Sequence, residues 1–232
     1  MNLSLAESLL ISALHDEEGM VMEQAVSHIK KGLIGALLID LRMGGFIDVE
    51  NDTLIALESA PQESKPYTHF VWNNIREHKG EKSITDWVEH LNTILTDHKS
   101  DLLNRLVDRK LLEKETNTVL WIFTQHFYNK LEDDLAFRPE RRIQQMLEGI
   151  EPSNLYDLIL YQLMECSGVN KDLFSEPQAA FIADQHFEEL MTTFLQICDS
   201  SDREILTFAE MICQSISSPG EAYVSQWVAV EA

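Results

Sequence analysis

Positive charge is what this sequence has least of. Only 18 lysines and arginines stand against 39 aspartates and glutamates in 232 residues, a formal net charge of -21. A field of that sign repels nucleic acid and anionic bilayers at long range, so binding either requires a local basic patch. Cysteine is scarce too. Cys166, Cys198 and Cys213 are an odd number at wide spacing in apolar helical patterns, which argues against a disulfide framework and for core thiols in a reducing compartment. No apolar run approaches the ~20 residues of a membrane span, and the opening MNLSLAESLL lacks the basic segment of a signal peptide. Low-complexity tracts and solenoid repeats are missing as well. These absences leave a cytoplasmic globular chain, 44% hydrophobic and 25% charged, long enough to bury a substantial core.

Helical periodicity dominates what is present. LSLAESLLISALHDEEG opens with Ser4 and Glu7 at capping-box spacing, carries Leu5, Leu9, Ala13 and Leu14 on one stripe, and stops at Gly19. A second helical stretch is expected over residues 23–43, closed by Gly44 and Gly45 because glycine enters the left-handed cap freely. FIDVENDTLIALE reads as a β-hairpin about Glu50, Asn51 and Asp52. Helices are expected over residues 68–78, 83–95 and 100–110. LLEKETNTVLWIF then reads as two short strands about a turn at Glu115, Thr116 and Asn117. Pro139 suits a first helical turn, and NLYDLILYQLMECSG is apolar nearly all round, as befits a helix at the centre of a bundle. Two amphipathic helices over residues 177–198 and 201–217 follow, the last with Ser201 and Glu204 at capping-box spacing. The fold class expected is mainly α: one globular helical domain over residues 1–220 with two short β-hairpins, and a tail at 221–232.

The usual chemical motifs are not there. Eight histidines form no His-Glu-x-x-His pattern, and His90 and His98 have no third metal ligand nearby in sequence. Ser27 and Lys30 have the Ser-x-x-Lys spacing of some acyl-transfer enzymes, but abut a packed helix. Gly32 and Gly35 follow no expected strand and lack the third glycine of a dinucleotide loop. Small residues three apart instead let a neighbouring element approach the helix backbone, at a cost of ~1 kcal/mol of helix propensity each. The helix-plus-hairpin LLNRLVDRKLLEKETNTVLWIF has the outline of a winged-helix DNA reader, with Arg105, Arg109 and Lys110. The acidic wing and the net charge oppose that reading, and no nucleic-acid partner is expected. No catalytic residue, metal ligand or cofactor site is identified, and the chain is not expected to be an enzyme.

Taken in order, LSLAESLLISALHDEEG, GLIGALLIDLRMGGFI, SITDWVEHLN, LLNRLVDRKLL, VLWIFTQH and NLYDLILYQLMECSGVNKDLF resemble the Golgi phosphoprotein three family over nearly the whole chain. The resemblance implies a single helical domain around a buried central helix, residues 155–167. It also implies a projecting hairpin that begins near Val119 and ends near Asn129 and supports homo-oligomers in some members. Eukaryotic members are non-enzymatic peripheral membrane adaptors: they bind the phosphatidylinositol 4-phosphate headgroup and hold cytoplasmic tails of glycosyltransferases. This chain begins directly at the domain without their disordered leader, which implies a bacterial relative, cytoplasmic or peripheral at a membrane.

The family's lipid pocket uses a tryptophan ahead of the glycine helix, an arginine between its glycines, and two arginines three apart before the second hairpin. Here those positions fall at Ala25, Ile34, Thr96 and Lys99. One cation survives, as lysine, which lacks the bidentate fork of arginine. Lys30 and Lys31 lie beside the missing arginine and are the remaining candidates for the headgroup. Each lost charged contact forgoes roughly 1.5–3 kcal/mol, so two losses weaken binding by about a hundredfold or more. The resemblance therefore implies an adaptor whose grip on an anionic phosphoinositide or membrane surface is weak or absent. The alternative is an acidic module that receives basic peptide tails and binds no lipid.

Overall fold

The computed structural model describes residues 3–62, 66–119, 123–131, 137–170 and 177–217. Among them are nine α-helices and two antiparallel hairpins, and the fold is mainly helical. Helix α1 (Leu5–Ser12) starts as its sequence dictates. Ser4 Oγ accepts the Glu7 backbone N–H at 3.2 Å, and Glu7 Oε2 accepts the Ser4 N–H at 3.0 Å. Two donors that a helix start leaves unpaired are thereby satisfied. All eight residues of α1 are buried, not only the apolar stripe, because other helices cover it on every side.

The helix expected over residues 23–43 is interrupted. A turn of 3-10 helix, Glu23–Ala25, precedes α2 (Ile29–Met43). The cause is tertiary: the 24–25 backbone lies against Gly168, where an added Cβ would stand 2.8 Å from the Gln24 carbonyl oxygen. Gly45, with φ +68°, follows the end of α2 as expected. Strands β1 (Ile47–Glu50) and β2 (Thr53–Ala56) pair about Asn51 and Asp52, whose φ values of 49° and 61° are those of a tight hairpin turn. Helices α3 (Pro66–Glu77), α4 (Ile84–Ile94) and α5 (His98–Asp108) follow. Ser83 caps α4 by accepting the Asp86 N–H at 3.1 Å.

The second hairpin differs from its sequence reading. Strand β3 (Leu112–Val119) runs straight through the expected turn, and β4 (Phe123–Lys130) pairs with it so that Glu115, Thr116 and Asn117 face Phe127, His126 and Gln125. Polar residues suggested a turn, but an exposed ribbon has no buried face to fill and is held by cross-strand pairs. Thr116 Oγ1 and His126 Nδ1 lie 3.0 Å apart, and Asn129 Nδ2 donates to Glu115 Oε1 at 3.0 Å. The Val119 to Asn129 region, where the family's projecting hairpin is expected, is chiefly the second arm of this hairpin; residues 120–122 lie outside the described residues. At its base the Tyr128 N–H donates to the Gly19 carbonyl at 2.6 Å. Gly19 has φ +60°, and a Cβ there would meet Asn129 Oδ1 at 2.7 Å, so only glycine fits.

Helices α6 (Pro139–Leu147), α7 (Leu155–Cys166), α8 (Pro177–Ile197) and α9 (Ser200–Ile216) complete the described chain. The cap of α9 is Asp199, whose carboxylate accepts the Asp202 N–H at 2.9 Å; Ser201 is not the cap. Helix α7 is buried at nine of its twelve residues, but it shares the centre with α2, buried at ten of fifteen. α2 packs on α1, α4, α7 and α9, and α7 packs on α1, α6 and α9. Cys166 and Cys213 are core thiols, as read; Cys198 is not, because α8 ends before it and leaves it partly exposed. The tail expected at 221–232 lies outside the described residues.

Candidate functional site

The glycine helix explains itself through what it touches. A Cβ on Gly32 would stand 2.2 Å from Ser167 Oγ and 3.2 Å from Leu9 Cδ2; one on Gly35 would stand 2.5 Å from Ile212 Cγ2 and 3.0 Å from Ile216 Cδ1. The two glycines therefore seat α2 against α1, the end of α7, and α9. That close seating fixes what lies between them. Ile34 is 1% exposed, and Ala25 is wholly buried. Two of the four positions at which the family resemblance places headgroup contacts are therefore core.

The other expected contacts stand apart from one another in their bonding. Lys31 is ion-paired with Glu89 of α4. Lys30 is exposed and Lys99, in the first turn of α5, is half-buried; among the described residues neither has an ion-pair partner. Thr96 is exposed between α4 and α5. No hydrogen bond or ion pair links the three lysines. Between Thr96 and Lys99, His98 turns inward: it is 4% exposed, lies 4.6 Å from the Tyr67 ring, and its Nδ1 has no hydrogen-bond partner. Burial, then the Arg105 charge, depress its basicity to a pKa of about 4, so the imidazole is neutral.

Several other cations are held by carboxylates. Glu7 accepts from Arg109 at 2.8 Å and lies 3.7 Å from Arg105. Arg142 binds Asp157 at 2.7 Å, and Asn154 Nδ2 donates to the second Asp157 oxygen at 2.7 Å. Lys130 joins Asp16 at 2.7 Å to Glu140 at 3.0 Å, with Arg138 alongside both. Burial pushes the Asp16 carboxyl up, but the Lys130 hydrogen bond and the Lys130 and Arg138 charges outweigh it and leave it below its usual range.

Two clefts open on the described surface. One of about 760 Å³ lies at the C-terminal end of α2, walled by Arg42, Asp48, Cys198, Glu204, Phe208 and Met211. Its guanidinium is engaged: Arg42 bridges Asp48 at 3.0 Å and Glu204 at 3.1 Å. The other, of about 360 Å³, is bounded by Ser12, Asp16, Lys130 and Glu140. Among the described residues no three histidine, cysteine, aspartate or glutamate groups converge as metal ligands. Ser27 Oγ lies 3.0 Å from His28 Nδ1 on the exposed turn before α2.

One arrangement escaped the sequence reading. His78, Lys82 and His90 surround Trp87, with the Lys82 Nζ 4.4 Å from the indole centroid and the imidazole centroids at 5.1 and 5.7 Å. The signal was the stretch HKGEKS, with three basic side chains in six residues of an acidic chain.

Fold and site together define a mainly helical domain: two buried helices at the centre, with small residues at their contact. The sequence match agrees. A model of the family Golgi phosphoprotein 3 (GPP34) matches residues 5–202, and the chain belongs to that family. No curated protein matches it. Among the described residues no helix is long and apolar enough to cross a membrane.

Proposed function

We propose that this protein is a non-enzymatic adaptor that keeps the scaffold of its family and has lost the family's grip on phosphatidylinositol 4-phosphate. The observation that carries the reading is the burial of Ile34. A guanidinium cannot be offered to a headgroup from a position 1% exposed inside a glycine-packed contact. Ala25 adds to it, and the Lys31 ammonium is spent on Glu89. Partners are then held by the acidic surface, and basic peptide tails are the chemistry that a net charge of -21 attracts.

Pull-down with a basic tail peptide tests the adaptor half. Retention at low salt and release at high salt are expected, and no retention at either would overturn it. Co-sedimentation tests the lipid half, using phosphatidylcholine vesicles with and without phosphatidylinositol 4-phosphate. The expected result is equal pelleting in both with the Lys82→Gln variant; pelleting of that variant that depends on the phosphoinositide would reinstate the family site. The partnerless Lys30 and Lys99 favour one second reading, a weak and salt-sensitive association with anionic lipid that does not discriminate among headgroups.

A further inference from the structure

The group around Trp87 contrasts with the ion-paired cations of this molecule. Lys31, Arg42, Arg105, Arg109, Lys130, Arg138 and Arg142 all sit within ion-pair range of carboxylates. His78, Lys82 and His90 do not; among the described residues none of these three side chains has an ion-pair or hydrogen-bond partner. Yet they converge on one indole, Lys82 against its face and the two imidazoles in edge contacts. The acids nearest in sequence are otherwise engaged or solvated. Glu89 holds Lys31, Asp86 accepts from the Ser83 hydroxyl at 2.8 Å, and Glu77 and Glu81 are exposed.

Two features make this cluster complementary to negative charge. Lys82 brings a charge, and burial with the Lys82 and His78 charges depresses the basicity of His90, so that ring offers a neutral N–H donor beside the ammonium. Trp87 is 1% exposed and its indole N–H is buried without an acceptor. Such a patch is too small for a polyanion in a field of this sign, but suits a single oxyanion.

We infer that His78, Lys82, His90 and Trp87 form a binding site for a phosphate group, carried on a soluble ester or on a lipid headgroup. The site uses none of the positions the family resemblance assigns to the headgroup. It is independent of the adaptor reading.

The test follows the histidine ring resonances of the full chain by NMR during titration with inorganic phosphate, against sodium chloride at matched ionic strength. Saturable shifts confined to His78 and His90 are expected, with Lys82→Gln weakening the binding about tenfold and Lys110→Gln leaving it unchanged. Lys82 is at the surface, so its variant folds; His78→Gln with His90→Gln supplies a second check, read by equilibrium dialysis with labelled phosphate. Vesicles of phosphatidylcholine with and without phosphatidic acid separate the sources. Pelleting that requires both phosphatidic acid and Lys82 assigns the group to a lipid, and binding of phosphate without pelleting assigns it to a soluble ester. Shifts that chloride reproduces, or binding indifferent to Lys82→Gln, would overturn the inference. Basic-peptide retention is expected to survive Lys82→Gln, so the two readings fail separately.

Discussion

The contact of α2 with α1, α7 and α9 and the turn between α3 and α4 solve opposite problems. At Gly32 and Gly35 the chain gives up side chains so that helices can close, and Ile34 between them is sealed in. At Lys82 the chain leaves cations uncompensated at the surface, gathered on one aromatic ring. The difference teaches that an inherited site position and a chemically competent one need not coincide. At Ala25 and Ile34, two of the four positions where the resemblance places headgroup contacts, the side chains are core, whereas at Trp87, where no resemblance points, a lysine stands without an ion-pair partner.

The sharpest way to break this comparison is Ile34→Arg, which restores the family's residue. If the site were merely missing a cation, lipid binding would return. Because the position is core, the expected result is a loss of about 4–5 kcal/mol in denaturant unfolding, or no folded protein, with no gain in vesicle pelleting. A stable, lipid-binding variant would refute the packing argument outright.

His98 tests the neighbouring headgroup positions at Thr96 and Lys99. Its folded pKa, about 4, lies below the unfolded value of 6.5, so the unfolded chain takes up the proton first. Its contribution is therefore fully present above pH 6.5 and is lost as pH falls toward 4. The wild type should lose up to about 3 kcal/mol over that window relative to His98→Gln, measured by urea denaturation of both proteins. Parallel pH profiles would show that the ring is solvated.

Smaller effects sharpen the contrast. Gly35→Ala gains helix propensity of ~1 kcal/mol but forces a methyl to 2.5 Å from Ile212 Cγ2; a net loss of about 1–2 kcal/mol in thermal or denaturant unfolding is expected. Lys82→Gln should change stability by no more than about 1 kcal/mol, the worth of one cation–π contact near the surface. A larger loss would mean that the lysine serves the fold rather than a ligand.

Element type was largely legible in the sequence because it rests on local signals. The capping pair Ser4 and Glu7, the glycines after Met43, the Asn51–Asp52 turn and Pro139 all act within a few residues. The second hairpin was misread because Glu115, Thr116 and Asn117 are polar on both faces, and periodicity cannot distinguish an exposed ribbon from a turn. The break at residues 26–28 was invisible because its cause, Gly168, lies more than a hundred residues away. The site was less legible still. Alignment could name Ile34 as a lost arginine, but not that the position had become interior.

The order of apolar and polar residues by itself determined a mainly helical chain, its family, its acidic surface and the small-residue contact, because each is a matter of composition or of neighbours in sequence. Only the tertiary structure decided which cations are paired and which remain free. Glu89 reaches Lys31 across 58 positions, and Glu7 reaches Arg109 across 102. Coulomb attraction falls with distance in space, and distance along the chain does not measure it.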